Sequence, residues 1–393
     1  MIAFRGRARA VRLAAGLNQR VWVLEEVDGT LSRSSSARLM ARCTNASLPG
    51  TRFLVQRSND PMDNASSSAL VLPPQLDYLA PGDFIAVSPD GWNVRVIWRH
   101  QSPHNALLLT ERCDNYCLMC SQPPKEAADD YLLAQAFDLV RLLPQDAEAF
   151  TLTGGEPTLY GDGLLQLLKL CGDRLPATHV QLLTNGRRFA DAAFAMKYAT
   201  VTSERIIAAI PLHAAEPQRH DHIAQAKGAF NETVRGILNL ARLEQRVEVR
   251  VVLHKQTIPV IGDIADFISR NLPFIERVAL MGLELTGLTL ANIDELWIDP
   301  FDYRNALADA VSILDNAGVS PLVYNHQLCL LEPAIRRFAV KSISDWKNQY
   351  DPICDQCSAR DMCGGFFYSA RHRRSGHISP LEATSPEVAC SSP

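Results

Sequence analysis

The sequence predicts an α/β chain on a parallel sheet, preceded by a small β-rich domain and followed by a cysteine-bearing segment. Three observations lead there. From residue 105 to about 318, short apolar runs alternate with amphipathic helical stretches. Residues 1 to about 100 instead show strand-period alternation and turn signals. The ten cysteines are uneven, with three inside 113–120 and three inside 354–363.

The 393 residues exceed the ~250–300 at which a single core stops growing, so more than one domain is expected. Apolar residues make up 47% and charged residues 21%, an ordinary globular composition. The net charge of −4 argues against a general nucleic-acid binder, and Arg371-His372-Arg373-Arg374 reads as a short solvated stretch. No apolar run reaches the ~18 residues that span a bilayer. Arg5, Arg7, Arg9 and Arg12 interrupt any secretory h-region, so the expected compartment is the cytoplasm. Thiols stay reduced there, and clustered cysteines point to metal rather than disulfides.

In the first segment, residues 20–25 alternate with strand period and Asp28-Gly29 follows as a turn. Residues 83–88 and 92–98 flank Pro89-Asp90-Gly91, a hairpin signal, with a polar loop near 57–69. The middle segment, 105–318, offers strands at 106–110, 149–153, 179–184, 205–212, 247–254 and 277–284. Helices are expected near 130–143, 162–173, 188–198, 229–245, 260–271 and 301–317. Six such repeats form a parallel sheet, either doubly wound or curled into a barrel. In barrels the chemistry sits at the C-terminal ends of the strands. Residues 319–374 carry the second cysteine group, and the Ser/Pro-rich stretch 375–393 is expected to be disordered.

The first strand runs into Cys113-x3-Cys117-x2-Cys120. Three thiolates can wrap one corner of a cubane cluster. A structural site normally supplies four ligands, whereas an incomplete set leaves a position for substrate. A zinc site and three buried free thiols are the alternative readings. The second strand ends in Thr153-Gly154-Gly155-Glu156-Pro157 and the third in Thr184-Asn185-Gly186.

These three motifs, in this order, resemble the radical S-adenosylmethionine (SAM) superfamily over roughly 105–290. The resemblance implies a partial (β/α)6 barrel with a [4Fe-4S] cluster on Cys113, Cys117 and Cys120. It further implies SAM on the open iron, a low-potential electron donor, and a 5′-deoxyadenosyl radical that abstracts hydrogen from substrate. Gly154 and Gly155 then let backbone approach the ligand. Glu156 accepts from the SAM ammonium, and Asn185 belongs to the SAM-binding set. Tyr116 either shields the cluster and stacks near the adenine or simply packs. Ser203, Arg250 and His254 lie at or near the fourth and fifth strands, where Arg250 could pair with the SAM carboxylate; an exposed strand position fits Arg250 equally well. Glu284 is a candidate for the active-site mouth. His213, His220 and His222 read as surface residues in the loop after the fourth strand.

Cys354-x2-Cys357-x5-Cys363, with Cys329 upstream in the strand-like stretch 321–331, could complete one more cluster or a zinc site. Gly364-Gly365 suits a tight ligand loop, while Cys43 and Cys171 read as buried thiols and Cys390 falls in the tail. The group resembles the SPASM or "twitch" auxiliary-cluster regions of radical SAM peptide maturases, with too few cysteines for a full SPASM. Residues 109–124, with Tyr350–Cys354 and Cys363–Phe367, resemble the His-Xaa-Ser system maturase HxsC family. That resemblance implies a ribosomally made precursor peptide, a partner radical SAM maturase and a small accessory protein. Radical modification of RNA or a small molecule, and a zinc-organised non-enzymatic scaffold, are the competing readings. A peptide adding a strand to the N-terminal β domain is a further expectation.

Overall fold

The computed structural model describes residues 5–7, 9–11, 21–26, 39–43, 52–56, 69–88, 93–341 and 349–382. The chain forms two compact units. One comprises Met1–Leu109, Ala128–Leu152 and Gln166–His179; the other comprises Thr110–Ala127, Thr153–Leu165 and Val180–Pro393.

In the first unit, eight short strands make one sheet: β1 (Arg5–Arg7), β2 (Arg9–Val11), β3 (Val21–Glu26), β4 (Leu39–Cys43), β5 (Arg52–Gln56), β6 (Ala69–Val71), β7 (Phe84–Val87) and β8 (Asn93–Trp98). Their order is β1-β8-β7-β3-β4-β5-β6-β2. Pairing is antiparallel except for β5 with β6. Trp22, Leu24, Leu70, Ile85 and Val94 are buried together, the inward set that period-2 alternation anticipates. The expected hairpin is present as β7 and β8. Its turn residues, like Asp28-Gly29, most of the polar loop and Cys390, lie outside the described residues, as does the Cys43 side chain. This unit also holds β9 (Asn105–Leu108), α1 (Asp130–Leu142) and most of β10 (Ala149–Thr153). Leu132, Ala136, Leu139 and Val140 form the buried stripe of α1, at the 3–4-residue spacing of an amphipathic helix.

The second sheet takes its strands in the order β16-β15-β14-β13-β12-β11-β10-β9. After β10 come α2 (Asp162–Arg174), β11 (His179–Leu183), α3 (Ala192–Val201), β12 (Ile206–Pro211), α4 (Pro217–Ala224), α5 (Ala229–Arg242), β13 (Arg246–Leu253), α6 (Ile261–Asn271) and β14 (Arg277–Gly282). Then follow α7 (Leu288–Ala291), α8 (Ile293–Leu296), α9 (Arg304–Asn316), β15 (Ser320–Tyr324) and β16 (Ala339–Val340). Every pair from β11 to β16 is parallel.

This strictly sequential order decides between the two expected topologies. Right-handed crossovers that always step the same way put every helix on one face, whereas a doubly wound sheet reverses its order. The opposite face is then an interior, as in a partial barrel. Alternation on β13 agrees: Val247, Val249 and Val251 are buried apolar residues, while the interleaved Glu248 and Arg250 are polar.

Two corrections follow. β15 and β16 extend the sheet beyond the six expected strands, so residue 318 is not where it ends. A two-residue strand such as β16 is too short to show a period. The stretch from 375 is ordered as far as Leu381, since Ser375 is buried and the Leu381 carbonyl accepts from the Ser358 amide at 3.0 Å.

Candidate active site

The cysteine loop leaves the first strand of the parallel sheet and is held along its whole length. The Thr110 carbonyl accepts from the Gly155 amide and the Arg112 carbonyl from the Glu156 amide, both at 2.8 Å. The amides of Tyr116 and Leu118 donate to the carbonyls of Ala224 and Ile223 at the end of α4, each at 3.0 Å. Past β14, the Leu288 amide donates to the Cys120 carbonyl at 2.8 Å, Thr289 Oγ1 to Met119 O at 3.1 Å, and Asn292 Nδ2 to Leu118 O at 2.8 Å. Met119 packs with Ile223 and Leu296. The end of β10, the end of α4 and the segment past β14 therefore fix one loop through its own backbone hydrogen bonds.

The three thiols are neighbours. Burial pushes Cys117 up to about 12, with Cys120 and Cys113 adding to the effect. Burial likewise pushes Cys113 up to about 12, and it raises Cys120. Such thiols stay neutral until a metal takes the place of the proton, because a coordinating thiol is deprotonated outright. Among the described residues the other cysteines sit elsewhere: Cys171 is buried on α2, and Cys329, Cys354, Cys357 and Cys363 line a cavity of their own. The donor set thus fits a cluster with one metal corner left open.

The glycines permit close packing within the chain. A Cβ on Gly155 would meet the Arg112 carbonyl oxygen at 2.1 Å, and one on Gly154 would meet Thr110 O at 2.6 Å. They allow β10 to end against the cysteine loop itself. Glu156 is tied into the fold. It is 1% exposed, and its carboxylate accepts from Thr158 N at 2.9 Å, Thr158 Oγ1 at 2.5 Å, Thr184 Oγ1 at 2.8 Å and Asn185 N at 2.6 Å. Three of these donors converge on Oε1 and one reaches Oε2, so the carboxylate ties two strand ends together and keeps an Oε2 lone pair for a further donor. Burial raises its pKa, and these hydrogen bonds oppose that rise. Asn185 is buried and donates from Nδ2 to Asp114 Oδ1 at 2.6 Å, bracing the loop.

Tyr116 is 53% exposed, so its ring is free of core packing. Ser203 precedes β12, at the N-terminal end of the strand, and its hydroxyl accepts from the Arg205 amide at 3.3 Å. In a parallel sheet that end is opposite the motif loops, so Ser203 is not brought to them. Arg250 is not an exposed strand position: Nε meets Glu248 Oε1 at 2.7 Å, and Arg277 Nε meets Glu248 Oε2 at 2.6 Å. Glu284 lies half-buried just past β14. His213 and His220 are buried rather than surface residues, because α4 forms where a loop was expected. Burial pushes His220 down to about 4 and His254 down to about 3, so both are neutral at physiological pH. His222 is exposed as expected.

Sequence reasoning missed Arg187, Gly287, Thr289 and Asn292. Arg187 follows the Asn185-Gly186 turn and spans two elements. Its NH1 donates to Asp114 O at 2.8 Å and Asn115 Oδ1 at 2.7 Å, while Nε meets Glu232 Oε2 on α5 at 2.6 Å. Arg187→Gln is expected to destabilise the apoprotein by about 2 kcal/mol, since hydrogen bonds to charged groups are lost from a largely buried guanidinium. Arg187→Lys should rescue only part, because a point charge cannot span the fork. Urea denaturation of the three proteins measures both.

In the C-terminal segment, Cys329 lies in a 3-10 turn, Leu328–Leu330, rather than a strand. Cys354 lies in the turn Pro352–Gln356, and Cys357 ends that turn. With Cys363 they line one cavity. Backbone amides point at the sulfurs: Gly365 N to Cys363 Sγ at 3.4 Å, and Leu381 N to Cys357 Sγ at 3.3 Å. Among the described residues no group of three or more His, Cys, Asp or Glu side chains is arranged to hold a single metal ion. A tetrahedral zinc draws its sulfurs to ~2.3 Å from one centre, whereas a cluster fills a larger space between them.

The segment 107–268 matches the Radical SAM superfamily, whose members use a [4Fe-4S] cluster and SAM. A comparison with curated proteins finds no match. Among solved structures, the chain is similar to SuiB of Streptococcus suis, with a TM-score of 0.45, 17% identity, and 58% of this chain and 49% of that chain covered. It is similar to anSMEcpe with bound AdoMet and Cp18Cys peptide, with a TM-score of 0.48, 13% identity, and 70% and 91% covered. It is also similar to a radical SAM methyltransferase from Sphaerobacter thermophilus, with a TM-score of 0.42, 13% identity, and 61% and 72% covered. The chain spans about half the length of the SuiB chains it matches. No described helix is long and apolar enough to cross a membrane.

Proposed function

We propose that this chain, which carries a Radical SAM superfamily domain over residues 107–268, is a peptide maturase that modifies a ribosomally made precursor of the His-Xaa-Ser repeat type. The observation that carries the enzymatic part is the anchored trio Cys113, Cys117 and Cys120, close to one another at the end of the first strand of the parallel sheet and apart from the other described cysteines. With a [4Fe-4S] cluster and SAM bound, such a site supplies a 5′-deoxyadenosyl radical for hydrogen abstraction.

The remaining work belongs to the chain's own residues. Glu156, Asn185 and Arg187 hold the cysteine loop in one geometry, so the ligand set is preorganised. Arg250 and Arg277 both meet the Glu248 carboxylate, and Arg277 also lies 3.8 Å from Glu276 Oε1. A guanidinium that shares its partner keeps donors for a ligand carboxylate, and Arg250 is the residue that takes it in this reading. Tyr116, exposed beside Cys117, is the candidate to cover the open corner.

Cys329, Cys354, Cys357 and Cys363 hold a second [4Fe-4S] cluster in this reading, supported by their common cavity and by the amides aimed at their sulfurs. Cys363→Ala is expected to lower iron from about eight to about four per chain while the SAM-binding cluster remains. Iron and acid-labile sulfide analysis checks it, and zinc in place of iron counts against it. The peptide substrate, the partner maturase and the accessory protein rest on the resemblance of residues 109–124 and 350–367 to the HxsC family, and a reducing cytoplasm suits all seven ligands. Co-expression with a His-Xaa-Ser precursor, followed by mass spectrometry, tests the substrate; an unchanged precursor mass beside active SAM cleavage would exclude it.

A further inference from the structure

Away from the cysteine loop, two adjoining cavities open in the second unit. The first reaches Leu253, Gly282 and Asn325, at or just past the C-terminal ends of β13, β14 and β15. Its other end is formed by Trp297, Phe366 and Arg373. The second cavity shares Phe366 and Arg373 and adds Tyr368 and Arg371. One continuous cleft therefore runs from an exposed arginine cluster to the strand ends where barrel chemistry takes place.

Arg374, which lines both cavities, is committed to Asp351 at 2.7 Å, whereas Arg371 and Arg373 are oriented but weakly committed. Arg371 lies 4.0 Å over the Tyr368 ring, and among the described residues it meets no carboxylate. Arg373 lies 5.1 Å over the Trp297 ring, and its ion pair at 3.2 Å is with Asp294, whose side chain is 86% exposed. Exposed pairs of this kind contribute about 0–1 kcal/mol, so an incoming carboxylate displaces one at little cost. Arg371 also donates from NH1 to the Tyr368 hydroxyl and from Nε to His372 Nε2, which orients the guanidinium and leaves its NH2 for a carboxylate. A cationic ledge on a chain of net charge −4 is complementary to acid.

We propose that this cleft docks an acidic stretch of the peptide substrate, with its carboxylates on Arg371 and Arg373 and a neighbouring apolar side chain entering past Trp297 toward the strand ends. The proposal rests on the peptide-maturase reading and names the chemistry by which that substrate is recognised. A single-stranded nucleic acid fits less well. It needs cations along the whole groove, whereas here they stand at one end and Leu253, Leu283 and Leu285 line the other.

The test is fluorescence anisotropy on anaerobic, cluster-loaded protein, with SAM cleavage followed in parallel. The probes are a short labelled peptide in which Glu alternates with Leu, its Lys–Leu counterpart, and an oligouridylate. The Glu–Leu probe is expected to bind most tightly and to weaken as salt rises. The double variant Arg371→Glu/Arg373→Glu should bind it about 30-fold more weakly and gain affinity for the Lys–Leu probe, a gain that an unfolded protein would not show. Equal affinity for the two peptides, indifference to the double variant, or tighter binding of oligouridylate would overturn the proposal. Wild-type protein that cleaves SAM yet binds no Glu–Leu probe sinks the docking site alone. Probe binding that follows the predicted charge swap without any SAM cleavage upholds the acidic site and sinks the enzymatic reading.

Discussion

Replacing Cys117 by Ala is expected to abolish 5′-deoxyadenosine formation, a loss on the order of a thousand-fold or more, because the cluster-bound cofactor carries the chemical step. The argument is geometric. Cys117 is the middle thiol of a loop anchored on both sides of it, through the Tyr116 and Leu118 amides and the Leu118 carbonyl, so the backbone has little slack with which to offer a substitute donor. Cys113 and Cys120 alone leave two metal corners open instead of one. The variant should fold, since its neighbours Leu118 and Met119 keep their contacts with Ile223 and Leu296. It should also retain the iron bound by the C-terminal cysteines. Cys171→Ala is the control: the thiol is buried on α2 away from both groups, and its loss costs about 1 kcal/mol of packing without touching SAM cleavage. Anaerobic reconstitution followed by chromatography of the products measures the effect. SAM cleavage that survives in Cys117→Ala would remove this trio from the mechanism.

Gly155→Ala is expected to be nearly as damaging by a different route. The added methyl would sit 2.1 Å from the Arg112 carbonyl oxygen, 2.5 Å from its carbon and 3.0 Å from Cys113 Cβ. The first two are backbone atoms, which cannot swing aside as the end of a flexible side chain could. Either β10 or the cysteine loop must shift, breaking the bonds from the Gly155 and Glu156 amides to Thr110 and Arg112. A loss of about 3 kcal/mol is expected, at the upper end for overpacking, together with poor cluster retention. Gly172→Ala offers the contrast. That position lies inside α2 with nothing within 4 Å of the new atom, so the same substitution should stabilise by about 0.5–1 kcal/mol. Urea midpoints for the pair, with iron content after desalting, separate the two cases.

The grouping of Cys113, Cys117 and Cys120 was legible because three thiols within eight residues of one loop are a local property of the chain. The strands and helices of the middle segment were legible for a related reason. Alternation and the 3.6-residue stripe record which face of each element is buried, and the observed bounds of β10, β13, α1 and α6 fall within about a residue or two of expectation. The exceptions are informative. The Ser203 position relative to the strand end, the burial of His213 and His220 by α4, and the strand β16 all depend on partners that no local window contains.

What only tertiary structure decided is who meets whom across long stretches of chain. Asp114 meets Arg187 over 73 residues, and Leu118 meets Asn292 over 174. Thr158, Thr184 and Asn185 converge on the Glu156 carboxylate, a network that no reading of Gly-Gly-Glu-Pro could reveal. Cys329 joins Cys354, Cys357 and Cys363 around one cavity only because β15 delivers it there. Residue types and their periodicity carry burial and ligand chemistry, since each side chain brings those with it. Partnership arises when the parallel strands align in register and bring distant loops to the same end of the sheet, and that alignment is a property of the folded whole.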